Sequence, residues 1–382
     1  MPLERNTCRR QILIFNHSYA TQFIDIANQY AQIFPKEQYE VTVSYLTGKE
    51  DAGVRAKTLA ENVIFMDCPP YVTRGLKIPA VKAMLDLHKK KGFEAVICHR
   101  YKPTYIMLWV SLFRRIPKLI SVMHELGTMR SVARRILIAA LAPKNMIFAG
   151  VSNAVRNDMR QDLWNIAPGR VITLYNMIDV DLTEPRLFSR KEARGKLGLT
   201  SEDFVFGTLG RLAVNKDQKT LIAAFAEVKK SCANAKLIIL GDGQLESQLK
   251  QQVEELSLTN DVIFAGFLAD GFRYMKAFDV YVSSSIQEAF GRVLLEAMVA
   301  KVPTIATRVN GMPEVLGDSG IIVDPKQPSE LAKAMLQAYQ TPESGRLEWG
   351  EKHYQRATKE FSIPKFREMM GEILLPGLDS NQ

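Results

Sequence analysis

Cysteine is scarce in this chain, and metal-ligand spacing is missing. The four cysteines among 382 residues, Cys8, Cys68, Cys98 and Cys232, stand far apart, with no CxxC pair and no histidine cluster beside them. Such spacing suggests neither a zinc site nor a disulfide framework, and the four are expected as buried thiols. Long apolar runs are missing too. The longest, YIMLWVSLF from Tyr105, is about half of the roughly 20 residues that cross a bilayer. The opening MPLERNTCRRQILIF lacks an apolar h-region and a small-residue cleavage site, so a cytoplasmic protein is expected. There is no tandem repeat of short period and no low-complexity tract. What remains is 47% hydrophobic and 24% charged, an enzyme-sized globular composition with length for two domains.

Acidic residues are the minority in the first half only. Residues 1–175 hold 25 Lys+Arg against 13 Asp+Glu, giving +12, and residues 176–382 hold 25 against 28, giving −3, which together return the net +9. Such an asymmetry attracts nucleic acid, an anionic membrane face or an acidic substrate. No nucleic-acid recognition motif or aromatic-interleaved basic platform accompanies it, so no nucleic-acid partner is expected. The excess is concentrated in WVSLFRRIPKLI (109–120) and MRSVARRILIAALAPKN (129–145). One reading is a core helix with a solvated basic flank. The other is peripheral contact with an anionic inner membrane, Arg134 and Arg135 at headgroup depth and Ile136, Leu137 and Ile138 on the apolar face.

Short β-branched runs alternate with helical patterns almost throughout, the signature of βαβ units and parallel sheets. Twelve runs qualify: 11–15, 41–45, 62–66, 95–98, 119–123 and 146–151 in the first half, and 204–210, 236–240, 261–266, 280–283, 303–307 and 320–324 in the second. Two comparable sets predict an α/β protein of two doubly wound domains. The polar stretch LTEPRLFSRKEARGKLGLTSE (182–202) marks the seam. The domains are placed at 1–190 and 191–360, with a helical tail, 361–382, packing back on the first. In open α/β sheets ligands bind beyond the carboxyl ends of the strands, so the chemistry should follow strands directly.

It does in QEAFGRVLLEAM (287–298), where an apolar helix starts after a strand and a serine cluster. A helix start carries about half a positive charge and several unpaired N–H donors, a natural seat for a diphosphate, and Gly291 permits close approach. Glu288 and Glu296, eight residues apart, would be separated by roughly 12 Å along a helix at about 1.5 Å per residue. That exceeds the ~5–9.5 Å of a glycosidase pair acting on one bond, and suits hydroxyls at the two ends of a nucleotide-sugar. Spacing alone would equally leave both as solvated helix residues. Arg211 and Lys216, in GTLGRLAVNKDQKTLIAAF, lie between a strand and a helix where two cations could neutralise a departing diphosphate; each by itself is an ordinary surface charge. The Gly241-Asp242-Gly243 turn in ILGDGQLESQL is a weak phosphate signal alone.

Taken together, GRLAVNKDQKTLIAAF, LIILGDGQLESQL, VIFAGFLAD, VYVSSSIQEAFGRVLLEAMVAKVPTIAT and GMPEVLGDSGIIVDP resemble the GT-B glycosyltransferases, in particular the large retaining family called family 4. The match covers nearly all of residues 204–325, and its E-x7-E element is Glu288 to Glu296. The resemblance implies two facing Rossmann-like domains with a cleft between them. It also implies that Glu288 contacts the donor sugar and Glu296 the ribose, that Arg211 and Lys216 bind the diphosphate, and that Phe290 and Gly291 form the phosphate loop. Val293, Leu294, Ser285 and Gly241 complete the donor set. More thinly, ISVMHELG, GVSNAVRNDM and LYNMIDVD look like the family's first-domain signposts, placing His124 by the donor sugar and Asn176 near the hinge. The loop NHSYATQF lacks the family's glycines, leaving His17 as an acceptor-side candidate, and Lys301 replaces a glycine after the helix, a change confined to its C-cap.

The implied activity is retaining transfer from a nucleoside-diphosphate sugar to a saccharide or lipid-linked acceptor, without cofactor or metal. Lipopolysaccharide core or surface-polysaccharide assembly on the cytoplasmic face of the inner membrane is the expected setting. An NDP-sugar 2-epimerase shares the architecture and is the first alternative; a nucleic-acid-binding protein using the basic first domain is the lesser one. A metal-dependent GT-A enzyme would need a DxD pair; Asp179 and Asp181 supply one formally, but between the two strand sets, where it reads as a turn.

Overall fold

The structure is a computed structural model and describes residues 9–69, 71 and 75–378. It divides into two units, residues 1–175 with 363–382, and residues 176–362. The first holds β1 (Arg10–Asn16), β2 (Tyr39–Tyr45), β3 (Asn62–Phe65), β4 (Ala95–His99), β5 (Lys118–Met123), β6 (Met146–Gly150) and β7 (Val171–Thr173), in the order β3-β2-β1-β4-β5-β6-β7. The second holds β8 (Phe204–Leu209), β9 (Ala235–Leu240), β10 (Val262–Gly266), β11 (Val280–Ser283), β12 (Thr304–Thr307) and β13 (Ile321–Val323), in the order β10-β9-β8-β11-β12-β13. Every pairing is parallel. Every residue of β4, β5 and β11 is buried, as expected of strands covered on both faces. In each unit the strand order reverses once, between β1 and β4 and between β8 and β11, and such reversals are where doubly wound sheets bind ligands.

All twelve expected runs are strands. A thirteenth, β7, was not anticipated: three residues, Val-Ile-Thr, are too short to show a period. The edge is secured by Arg160, whose guanidinium donates to the Val171 carbonyl at 2.8 Å.

The seam differs from expectation. The division falls at Tyr175/Asn176, before the polar stretch 182–202, and that stretch is part of the second unit. Arg194 is only 5% exposed. Its guanidinium donates to Asp279 at 2.7 Å and to the Ala277 carbonyl at 3.1 Å, while Asp279 also accepts from the Val205 amide at 2.7 Å and from Arg190 at 2.6 Å. A buried guanidinium is tolerable only when paired and hydrogen-bonded, so a segment that composition marks as a linker is stitched to the start of β8. The tail helix Ile363–Leu378 groups with the first unit: Phe366 meets Tyr30 edge-on at 4.8 Å and Arg367 donates to the Gln32 carbonyl at 3.2 Å.

Cys68, Cys98 and Cys232 are free and buried; Cys8 lies outside the described residues. Among the described residues no helix is long and apolar enough to cross a membrane. The apolar run from Tyr105 belongs to the helix Tyr101–Phe113, with Ile106, Met107, Leu108 and Val110 fully buried.

The basic helix Val132–Leu141 corrects the docking expectation. Arg135 pairs with Asp162 and lies 5.5 Å from the Trp164 ring centre; Arg134 donates to the Thr128 carbonyl and lies 4.4 Å from that of Tyr101. Ile138 is fully buried, whereas Val132 and Ile136 are exposed. At about 100° per residue, a helix cannot point 134, 135 and 136–138 the same way. Lys301 takes the left-handed conformation, φ 59°, just past the helix Arg292–Val299, where the missing glycine would have sat without a Cβ penalty.

Candidate functional site

In the second unit, the loops after β8 and β11 meet at the strand-order reversal. The chain leaving β8 is pinned to the turn after β9: the Gly210 amide donates to Leu240 at 2.9 Å and the Leu212 amide to Asp242 at 2.7 Å. Gly241 has φ 127°, and a Cβ there would lie 2.1 Å from the Gly210 carbonyl oxygen. Its visible role is this close approach, behind the Arg211 loop, which the Gln218 amide group also holds by donating to the Arg211 carbonyl at 2.9 Å. The Arg211 side chain is exposed. The two loops are then joined directly. The Ile286 amide donates to Asn215 at 2.9 Å, the Ser284 hydroxyl to the Lys216 carbonyl at 2.9 Å, and the Lys216 ammonium pairs with the Glu288 carboxylate.

The helix carrying Glu296 starts later than the sequence pattern implied. It runs Arg292–Val299, with Gly291 as its cap at φ 95°, so residues 288–291 are loop and the 12 Å helical separation of the two glutamates does not apply. Both carboxylates act on one buried phenol instead: burial pushes the Tyr281 hydroxyl up, and Glu296 and then Glu288 push it further. Glu288 is clamped from the loop after β12 by residues with no role assigned in advance. Its amide donates to the Asn310 side chain at 3.2 Å and its carbonyl accepts from the Gly311 amide at 3.3 Å. A Cβ at Gly311 would lie 2.4 Å from the Ala289 carbonyl oxygen. The signal available was an Asn-Gly pair separated by two residues from the end of a strand.

Other expected donor residues are brought near this group but turn inward. Ser285, Phe290 and Leu294 are 1%, 2% and 1% exposed. The Ser285 carbonyl accepts from Thr307, Phe290 packs edge-on against Phe361 at 5.7 Å, and the Leu294 amide donates to the Gly291 carbonyl at 2.9 Å. Their side chains build the core beneath the loop. Val293 is partly exposed in the first turn, and Asn176 is buried as the first residue of the second unit. Asp179 caps the short helix Val180–Thr183, accepting from the Leu182 amide at 2.9 Å, so the DxD resemblance is a helix start. No group of three or more His, Cys, Asp or Glu poised for a metal occurs among the described residues.

In the first unit, the reversal between β1 and β4 opens a cavity of about 450 Å³. His17 follows β1, Arg100 to Lys102 follow β4, and His124 to Thr128 follow β5; Arg134 closes one side. His124, which the resemblance implies by the donor sugar, and His17, an acceptor-side candidate where the family's glycines are missing, thus line one cavity. His124 Nε2 lies 3.0 Å from Nδ1 of His99, which is fully buried and lowered to about 3 by that burial. His17 is lowered to about 4 by burial and by the charges of Lys102 and Arg100. Arg100 stands at φ 73° with its amide on the Val122 carbonyl at 2.9 Å, and its guanidinium pairs with Glu125. Arg100 and Lys102 were not anticipated; the signal was a basic pair immediately after a central strand of the basic half.

Residues 189–356 match the family model described as glycosyl transferases group 1. Over 264 residues the chain is 26% identical to the N-acetylgalactosamine-N,N'-diacetylbacillosaminyl-diphospho-undecaprenol 4-alpha-N-acetylgalactosaminyltransferase of Campylobacter jejuni, covering 66% of this chain and 69% of that protein. It spans about half the length of further curated relatives that it matches. A glycosyltransferase from Rickettsia africae superposes with a TM-score of 0.83 at 17% identity, over 98% of this chain and 100% of that one. HepE of Anabaena, solved in complex with UDP-glucose, does so with 0.75 at 22% identity, over 96% and 99%. The architecture is that of the GT-B fold.

Proposed function

We propose, from the match of residues 189–356 to the glycosyl transferases group 1, that this protein moves a sugar from a nucleoside-diphosphate sugar to a saccharide or lipid-linked acceptor with retention at the anomeric carbon. The observation that carries the reading is the Lys216–Glu288 ion pair, held where the β8 and β11 loops are stitched together, with Arg211 on the same loop as Lys216. Charge grows on the diphosphate as the sugar departs, and fixed cations that need no reorganisation stabilise it. Arg211 and Lys216 fill that role in place of a metal. Glu288, released from Lys216 as the diphosphate arrives, accepts from a sugar hydroxyl, and Glu296 accepts from the ribose. The undecaprenol-linked substrate in the name of the Campylobacter relative supports a place in lipopolysaccharide or surface-polysaccharide assembly at the cytoplasmic membrane face. Exposed Leu112 and Phe113 beside Arg114 and Arg115 support peripheral contact there.

The test is a panel of labelled nucleotide-sugars with saccharide and lipid-linked acceptors, followed for transfer, nucleoside diphosphate release and product anomer, with and without EDTA. Transfer with retention that survives EDTA is the expected result. Sugar converted without an acceptor would place the protein with the epimerases. Activity abolished by EDTA and restored by Mg²⁺ would remove the metal-free mechanism.

A further inference from the structure

We propose that the cavity of the first unit is a phosphate subsite, and that the acceptor is therefore a phosphate ester. The inference rests on the glycosyltransferase reading and names the class of its second substrate. Residues 101–150 contain eight Lys or Arg and a single acid, Glu125, and that acid is paired with Arg100. Lys102 and Arg134 stand in the same wall. Lys77, its ammonium 4.0 Å from the Tyr105 ring centre, is depressed by burial and then by Lys102 and Arg134, which places a fourth cation in the same field. Beyond the wall, Asp158 accepts from the Gly127 amide at 2.7 Å and pairs with Arg130, while Lys102, Arg134 and Arg100 depress Lys77 and His17 by like charge, a repulsion that a bound anion relieves.

The cations are also positioned. Arg134 is fixed by the Tyr101 ring and the Thr128 carbonyl. Arg100 is held in a left-handed conformation by its amide and by Thr104, whose hydroxyl donates to the Arg100 carbonyl at 2.9 Å; such strain persists where surroundings over-determine it and gathers at ligand sites. The helix Tyr101–Phe113 begins at the cavity wall and aims its positive end there. Nδ1 of His17 is buried with no hydrogen-bond partner, an unmet polar atom that a phosphoryl oxygen would satisfy. The donor's diphosphate already has Arg211 and Lys216 in the second unit. Leu76 and Ile78, both 64% exposed, flank Lys77 and offer apolar surface to a lipid ester. A phosphorylated soluble saccharide carries the same recognised group.

The experiment uses the full chain carrying Lys216→Ala, so that the donor pair does not compete. Decyl phosphate and glucose 6-phosphate are titrated calorimetrically, with decyl maltoside, glucose and glucuronate as controls, and the His17 imidazole is followed by NMR. The phosphate esters should bind, raise the His17 pKa from about 4, and lose at least tenfold in affinity with Lys102→Glu, which Lys102→Arg avoids. Tighter decyl phosphate identifies a lipid carrier, tighter glucose 6-phosphate a soluble one. Phosphate esters binding no better than the neutral controls, glucuronate binding in their place, or equal affinity in Lys102→Glu overturns the subsite. Nucleoside diphosphate binding in the otherwise wild-type chain keeps the readings apart. If it persists while phosphate esters fail, the subsite alone falls; if wild-type protein lacks it, the glycosyltransferase reading falls.

Discussion

Lys216 and Glu288 neutralise each other across two loops, each less than a quarter exposed, so neither acts alone. On the proposed mechanism, removing Lys216 takes away a cation aimed at developing charge, and it leaves the Glu288 carboxylate without its ion-pair partner. Lys216→Ala should lower turnover on the order of 100-fold, the usual consequence of losing one preorganised stabiliser. In a double-mutant cycle with Glu288→Gln the losses should be non-additive by about 0.5–3 kcal/mol; strict additivity in steady-state kinetics would mean that the two do not work as a unit. Glu296 presents a separable case. Its expected ribose contact exists with the nucleoside diphosphate alone, so Glu296→Ala should weaken that binding roughly tenfold, about the effect of one hydrogen bond to a charged group. Equal affinity by calorimetry would return Glu296 to the role of a helix residue that senses Tyr281. The sequence offered Lys216, Glu288 and Glu296 as candidates but not Asn310 and Gly311, because what those two do is a matter of which loop they press upon.

Among elements, the turn after β9 carries the loop after β8. Gly241→Ala would drive a Cβ into the Gly210 carbonyl at an unfavourable φ, for which about 1–3 kcal/mol is expected. Thermal unfolding and nucleoside diphosphate affinity should both fall, whereas Gly169→Ala, with open space around it, should change neither. The basic helix requires a different test from the one its sequence suggests. Arg135→Glu should destabilise the first unit by setting two acids against each other at Asp162. Phe113→Ser with Arg114→Glu, at exposed positions, should leave the fold intact and reduce sedimentation with anionic vesicles. Binding of wild-type protein to those vesicles should weaken steeply with salt, since each basic residue at a charged surface contributes about 1 kcal/mol and is screened beyond a Debye length. Indifference of wild-type protein to anionic vesicles at low salt would remove the membrane contact.

For the whole molecule, acid is the informative variable. His17 and His353 are held at about 4 and His99 at about 3, against 6.5 for the free side chain, with burial the leading cause each time. Between those values the unfolded chain binds more protons than the folded one, so stability is complete above about pH 6.5 and falls as pH drops through this window. Melting followed from pH 7.5 to 4 should show it; a flat profile would mean that these imidazoles are protonated in the fold. Deleting residues 363–382 should destabilise the first unit, because Phe366 leaves the Tyr30 ring bare.

The sequence by itself determined the two α/β units, twelve of the thirteen strands among the described residues, and the candidates on the second unit's loops, because β-branched periodicity and the ordered segments from GRLAVNKDQK to GMPEVLGDSG are local along the chain. It also held the charge asymmetry without saying where the charge would gather. Only the tertiary structure decided that 182–202 is bound through Arg194 and Asp279 rather than left as a linker, and that Arg134 and Arg135 turn inward. It also decided that Ser285, Phe290 and Leu294 are core, and that His17, Arg100, Lys102, His124 and Arg134 share one cavity. Those outcomes depend on which loops come together at the points where each sheet reverses its strand order. That pairing joins residues separated by as many as 117 positions, as His17 and Arg134 are, and no local pattern of hydrophobicity, charge or turn chemistry encodes it.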